Sequence, residues 1–200
     1  MRTASTPSDA LLSERVLQEI AEHEAIVLEA YRDSVGEWTW GVGVTSASGH
    51  RVFPRYRGKP STIERCLEIF EWLLRTKYLP EVLAAFKGRA LQEHELAAAL
   101  SFHWNTGGIA EASWVKSWLG GDIGRARREF LNWSKPREII GRRKAERSLF
   151  FDAVWAGDGW VTQYQRVSPG REATPVWRSA RQIDIRPALR AVLAKARRET

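Results

Sequence analysis

The first regular hydrophobic pattern in the chain runs through its N-terminal part. Apolar side chains recur at Leu12, Val16 and Ile20, a spacing that predicts an amphipathic helix. The next position on this stripe is Glu24, so a carboxylate stands where the pattern favours an apolar side chain. Desolvation at such a position would raise the pKa of Glu24, which suits a general acid near neutral pH. The alternative is that the helix ends first and Glu24 is an ordinary surface carboxylate.

A second pattern follows the turn signal Asp33–Gly36. Between Trp38 and Thr45 bulky side chains alternate with small or hydroxylated ones, which predicts a strand with one bulky face and one bare face. The segment His50–Tyr56 is expected to be the strand that returns beside it. Glycines inside a strand often mark the close approach of a ligand or another backbone. A plain structural hairpin with bulges would explain the same residues.

The pattern of apolar residues in the rest of the sequence predicts mainly helices. The nearly apolar run from Gln92 to Trp104 is typical of the central helix of a bundle, and Asn105–Gly108 ends it. Further helices are predicted at 63–77, 80–88, 113–119, 122–133, 137–155 and 187–198. Residues 158–185 lack a clean period and predict loops with short strands. One helix, a small β region and then helices indicate an α+β fold with segregated strands.

Length and composition limit the organisation of the chain. Its 200 residues can form one substantial domain, and we assign residues 1–157 to a main domain and residues 158–200 to an extension packed on it. Hydrophobic residues at 44% and charged residues at 28% are ordinary for a globular protein. No apolar run could span a membrane, and the N-terminus lacks the apolar core of a secretory signal. We therefore expect neither a transmembrane anchor nor a signal peptide.

The net charge of +7 indicates a polyanionic partner. Nucleic acids fit, but so do peptidoglycan carboxylates and lipopolysaccharide phosphates, so a basic nucleic-acid-binding module stays open as an alternative of a different class. No zinc-finger or RNA-recognition motif supports that alternative. The four histidines show no metal-ligand spacing. We expect no nucleic-acid partner, no metal and no cofactor.

The candidate chemistry lies in Glu24 and Asp33, two carboxylates nine residues apart, with Thr39 six residues further on. Hydrolysis of a glycosidic bond requires two carboxyl groups in unlike surroundings, one to protonate the leaving oxygen and one to manage a water. The stretch A-Y-R-D-S-V-G-E-W-T-W-G-V-G resembles the A-Y-x-D-x-x-G-x-W-T-x-G-x-G signature of the phage-type lysozymes. Two later blocks resemble the same family in the same order: A-L-S-F-H-W-N-T-G at 99–107 and G-R-R-K-A-E-R-S-L-F at 141–150.

The resemblance implies a lysozyme-like fold, with a small β-hairpin lobe and a mainly α-helical lobe, and hydrolysis of peptidoglycan glycan strands. Glu24 would protonate the glycosidic oxygen. Asp33 would hold or activate the attacking water, and Thr39 would help to position it. The bond cleaved would be the β-1,4 bond between N-acetylmuramic acid and N-acetylglucosamine, with inversion.

The same resemblance implies a saccharide-binding set. Trp104 and Asn105 would line the saccharide site, although Trp104 could equally be a core residue. Gly43, on the bare face of the predicted strand, is the third candidate because a sugar chain could lie on that face. Arg142 or Arg143 would pair with the catalytic glutamate, and such a pair would oppose the effect of desolvation on its pKa.

Two further functional alternatives and one biological setting complete the expectation. A lytic transglycosylase would cleave the same bond with a single catalytic Glu and no water, whereas the retention of Asp33 and Thr39 favours hydrolysis. A catalytically dead wall-binding relative is disfavoured by the intact triad. We expect a monomeric endolysin that collects in the host cytoplasm, does not insert stably into the membrane, and depends on a holin for release to the wall. Attachment to a virion or other particle would predict the same sequence.

Overall fold

The computed structural model describes residues 11–199, and these form two compact units. The sheet unit contains residues 21–73 and 158–199, and the helical unit contains residues 11–20 and 74–157. The described strands all lie in the sheet unit and most of the helices lie in the helical unit, so the predicted α+β class is confirmed. No helix within residues 11–199 is both long and apolar enough to cross a membrane.

Helix α1, Glu14–Glu22, is the predicted first helix. The hydroxyl of Ser13 accepts a hydrogen bond from the Val16 N–H at 3.2 Å and caps its first turn. The helix ends two residues before Glu24, whose N–H donates to the Ala21 carbonyl at 3.0 Å in a tighter closing turn. The prediction that Glu24 continues the helical stripe is therefore wrong, because the backbone has left the helix when it reaches this residue.

Strands β1, Ile26–Arg32, and β2, Trp38–Val42, form an antiparallel hairpin, and the short β3, Val44–Thr45, pairs with β2. The sequence did not predict β1, because a bulge between Val27 and Tyr31 interrupts its alternation. The strand predicted from Trp38 onward is therefore the second strand of the hairpin and not the first.

The predicted returning strand His50–Tyr56 is wrong, since this segment forms turns. It is held by stacked rings instead of a backbone ladder. The Tyr56 ring lies 3.8 Å from the Trp40 ring, centroid to centroid, with 5° between their planes. The Tyr56 hydroxyl is also hydrogen-bonded to His50 Nε2 at 2.8 Å. The ring of Tyr56 in this segment therefore serves packing onto Trp40 and does not indicate a strand.

Helix α2, Ile63–Leu73, packs on the hairpin in the sheet unit, next to a strand glycine. Thr62 caps the first turn of this helix, accepting a hydrogen bond from the Arg65 N–H at 3.2 Å. A Cβ on Gly41 would lie 3.4 Å from Cys66 Cβ on this helix, and Gly41 has a φ of +62°. The contact with α2 would be an ordinary one, so the positive φ, which side chains rarely adopt, accounts for this glycine.

The helical unit is built around α4, Glu93–Thr106, whose side chains from Leu96 to His103 are all buried. A reciprocal capping box between Gln92 and Glu95 begins this helix, as its N-terminal sequence favours. It packs against α7, and aromatic rings fill the core around it. The other helices of the unit are α3, Leu79–Ala85; α5, Ser113–Leu119; α6, Ile123–Phe130; and α7, Ile140–Asp152. Short 3₁₀ or π turns extend α2, α6 and α7: Leu74–Tyr78, Leu131–Trp133 and Arg137–Ile139.

The chain after residue 157 adds two strands to the sheet. Strand β4, Trp160–Tyr164, pairs in parallel with β1, and β5, Ala180–Asp184, pairs antiparallel with β4. The strand order is β3-β2-β1-β4-β5, so β1 is the central strand. Helix α8, Arg186–Glu199, then packs on α2. The predicted short strands and basic C-terminal helix are both present.

Candidate active site

Asp33 is fixed in the turn that joins β1 to β2. Its Oδ1 accepts hydrogen bonds from the backbone N–H groups of Val35 at 3.0 Å and Glu37 at 2.9 Å. The Gly36 N–H closes the turn on the Asp33 carbonyl at 3.0 Å. A short carboxylate is favoured at this position because it can bond to the backbone that follows it. The local sequence therefore sets the orientation of the carboxyl group.

Thr39 meets the other oxygen of the same carboxylate. It lies on β2 opposite Tyr31 of β1, and only 3% of its surface is exposed. Its hydroxyl donates to Asp33 Oδ2 at 3.0 Å. Asp33 thus accepts three hydrogen bonds, two from the backbone and one from a buried hydroxyl. The structure brings these two predicted residues into direct contact.

Glu24 is half-buried in the connection between α1 and β1, and the charges of both Glu24 and Asp33 act on the phenol of Tyr31. Burial raises the pKa of the Tyr31 phenol, and the nearby carboxylates of Glu24 and Asp33 raise it further. The phenol therefore stays protonated and can donate a hydrogen bond beside both carboxylates. The sequence patterns did not indicate a role for Tyr31, although this residue stands two positions before Asp33 in the motif shared with the phage-type lysozymes.

Arg142 and Arg143 share a buried carboxylate in the helical unit. Glu146 is fully buried and accepts hydrogen bonds from Arg142 Nε at 2.8 Å, from Ser101 Oγ at 2.6 Å and from Arg143 Nη1. Burial lowers the pKa of Arg143, and the charge of Glu146 opposes that shift. The pairing of Glu24 with either arginine stays a prediction.

The predicted saccharide-binding residues occupy different surroundings. Asn105 Oδ1 accepts a hydrogen bond from Arg143 Nη2 at 2.6 Å, and the residue lines a cavity of about 390 Å³. The Trp104 ring instead tilts against Tyr78, with 4.7 Å between centroids. Gly43 lies in the sheet unit, between β2 and β3. The other residues lining the cavity are Thr106, Asn132, Trp133, Lys135, Pro136 and Ile139.

This cavity mixes aromatic, apolar and amide groups, as saccharide sites do. Within residues 11–199, no three His, Cys, Asp or Glu side chains are grouped closely enough to hold a metal ion.

Comparison with protein families decides the relationship. The family model described as phage lysozyme matches residues 21–146. The chain belongs to the phage lysozyme family. It is a peptidoglycan-degrading lysozyme, a glycoside hydrolase of the muramidase class. The matched range includes the three candidate catalytic residues and ends at Glu146, before β4, β5 and α8.

Solved structures agree with the fold of this phage-lysozyme family member. An endolysin from Escherichia coli O157:H7 phage FAHEc1 is 21% identical, with 72% of this chain and 96% of that chain covered and a TM-score of 0.54. A P22 lysozyme variant is 24% identical, with 70% and 97% covered and a TM-score of 0.55. The P1 phage endolysin Lyz is 15% identical, with 76% and 97% covered and a TM-score of 0.55. No curated protein sequence gives a significant match. The predicted lysozyme-like fold is confirmed.

Proposed function

We propose that the chain cleaves the β-1,4 bond between N-acetylmuramic acid and N-acetylglucosamine by single-step, inverting hydrolysis. The observation that carries this proposal is the Asp33–Thr39 contact, together with a second carboxylate, Glu24, acting on the same Tyr31 phenol. Two carboxyl groups held in unlike surroundings are what acid and base roles in glycoside hydrolysis require.

Glu24 is the general acid in this scheme, and it gives its proton to the glycosidic oxygen as the bond to the sugar carbon breaks. Asp33 accepts a proton from the attacking water, and Thr39 keeps the carboxylate turned toward that water. Three hydrogen bonds to Asp33 fix the direction of its carboxylate. That arrangement suits orienting a water better than attacking the sugar carbon directly, which favours inversion over a covalent intermediate.

Saccharide binding is assigned to Asn105, Trp104 and Gly43. Asn105 is the strongest of the three because its amide is held by Arg143 at the wall of a cavity. An amide fixed in this way offers its N–H₂ donors to a sugar hydroxyl or N-acetyl group at little cost in ordering. Pairing between Glu24 and Arg142 or Arg143 remains part of the proposal.

The cellular role proposed is host lysis by a monomeric endolysin that acts on peptidoglycan glycan strands. It would collect in the host cytoplasm and reach the wall after a holin opens the membrane. The phage-lysozyme family membership and the neighbouring endolysin structures support this role.

Product analysis in ¹⁸O-labelled water tests the reaction. Purified glycan strands digested by the protein should yield reducing N-acetylmuramic acid ends that carry one ¹⁸O atom, and NMR at early times should show the α-anomer first. A mass lower by one water, with no label, is the anhydro product of a lytic transglycosylase and would overturn the assignment of hydrolysis. An initial β-anomer would overturn inversion alone.

A further inference from the structure

A cavity of about 520 Å³ lies in the sheet unit and reaches the candidate catalytic carboxylate. One wall comes from the stretch after α1 and includes Tyr31 and Asp33. The opposite wall comes from the C-terminal segment and includes Tyr164, Thr174 and Trp177. This second wall lies beyond residues 21–146, which the family model matches. We call this cavity the C-terminal pocket.

Main-chain pairing fixes the added wall in place. Val27 of β1 is the parallel partner of Tyr164 on β4, and the Arg32 N–H donates to the Ala173 carbonyl at 2.9 Å. Ala173 is fully buried. Backbone bonds therefore hold the segment to β1 on both sides of the pocket, so the pocket is preformed and ligand binding need not order a loop.

The lining has the chemistry of a sugar site. Trp177 is 81% exposed, an unusual position for the largest apolar side chain, and its ring meets the Tyr164 ring edge-on at 5.9 Å. An exposed indole face can pack against the apolar C–H face of a pyranose ring, while the hydroxyl groups of the lining bond to its polar rim. The pocket volume is within the range of about 300–1,000 Å³ that is usual for ligand pockets.

Charge also favours a polyanionic polymer along this segment. Residues 158–200 contain nine basic and four acidic residues, so they supply most of the chain's net charge of +7. Arg166, Arg178 and Arg181 are exposed. A peptidoglycan strand carries muramic-acid stem peptides with free carboxylates, and positive surface potential attracts such a polymer.

We propose that the C-terminal pocket is an additional saccharide subsite, with Trp177 as its stacking platform. It would bind a sugar unit of the same glycan strand whose scissile bond lies at Glu24 and Asp33, so this inference rests on the proposed function. The segment after β4 thereby extends the substrate-binding surface of the family domain.

Titration calorimetry with peptidoglycan-derived octasaccharide tests the subsite in a Glu24→Gln background, where the ligand is not consumed. Trp177→Ala should weaken binding about three- to ten-fold, the effect expected for loss of one aromatic contact. Trp177→Phe should retain most of the affinity because it keeps a ring. Trp160→Ala is the matched control, since Trp160 is 47% exposed on the same segment but does not line the pocket. Its affinity should equal that of the parent.

Binding and kinetic measurements together distinguish a failure of the subsite proposal from a failure of the proposed hydrolytic function. In the catalytically competent protein, Trp177→Ala should raise KM for glycan strands and leave kcat unchanged, because the ring is expected to contact substrate away from the scissile bond. Equal octasaccharide affinity in Trp177→Ala and Trp160→Ala, with normal hydrolysis by the wild type, would overturn the subsite alone. Full hydrolysis by Glu24→Gln would overturn the proposed function, whatever the affinities of the tryptophan variants.

Discussion

Replacing Thr39 by Val removes one hydroxyl from the proposed catalytic centre with little change in shape. Thr39 is buried, and its hydroxyl is the donor to Asp33 Oδ2 at 3.0 Å. The two backbone donors to Oδ1 remain, so the carboxylate should stay in its turn but lose the bond that fixes its rotation. The variant therefore tests whether orientation of Asp33 contributes to the rate.

The expected loss of activity follows from the energy of the hydrogen bond between Thr39 and Asp33. A hydrogen bond to a charged group contributes about 1.5–3 kcal/mol. If misorientation of Asp33 costs the transition state that whole energy, kcat falls by about 10- to 150-fold at roughly 1.4 kcal/mol per factor of ten. KM should change little, because Thr39 is not expected to bind the sugar directly.

The assay is the initial rate of reducing-end release from soluble glycan strands, combined with urea unfolding of each variant. Thr39→Ser, which keeps the hydroxyl, should retain most of the activity. Thr162→Val on β4 is the matched control, since it also removes a hydroxyl that is hydrogen-bonded within the sheet, to Gln182 Nε2 at 2.9 Å. A Thr39→Val protein that is folded and has the wild-type kcat would refute a positioning role for this residue.

Three further predictions concern stability. Arg143→Met should lower the free energy of unfolding by about 1.5–3 kcal/mol, because buried Glu146 loses one charged donor but keeps Arg142 and Ser101; an unchanged urea midpoint would contradict this. Burial is the main cause of the raised pKa of Glu19 in the folded protein. The folded state therefore holds this proton more tightly than the unfolded state, and the resulting stabilisation is lost as the carboxyl group ionises. The stability of the wild type relative to Glu19→Gln should therefore fall as the pH rises above the ordinary pKa of 4.5, and thermal melts that give parallel pH profiles would refute this. Gly41→Ala should lower the free energy of unfolding by about 1–2 kcal/mol, because Gly41 has a φ of +62°, which side chains rarely adopt; a melting temperature equal to that of the wild type would contradict this.

Local patterns in the sequence predicted the helices and the Asp33 turn because their causes are local. Spacing of apolar residues, caps and turn residues act within a few positions, and the structure has them where the sequence favours them. The closeness of Asp33 and Thr39 was also accessible, since a tight turn and the following strand bring positions six apart together. Glu24 was misplaced on α1 because apolar spacing does not reveal where a helix gives way to a strand.

The features that escaped prediction depend on distant partners. Strand β1 is central and bulged, with β4 beside it from more than a hundred residues away, so it lacks the simple alternation of a half-exposed strand. Ring stacking on Trp40 made the segment His50–Tyr56 look like a strand. Glu146 receives hydrogen bonds from α4 as well as from its own helix, and sequence spacing carries no information about such a contact.

Clearing of outer-membrane-permeabilised Gram-negative cells by Glu24→Gln is the decisive measurement for a Glu24-dependent lysozyme. General acid catalysis contributes about 100- to 10,000-fold, so the clearing rate should fall by that factor relative to the wild type. Glu37→Gln makes the same change at an exposed carboxylate in the adjoining turn and should clear at the wild-type rate. Equal clearing by the wild type and Glu24→Gln, or none by either, would contradict the assignment of Glu24 as the catalytic acid of a cell-wall lysozyme.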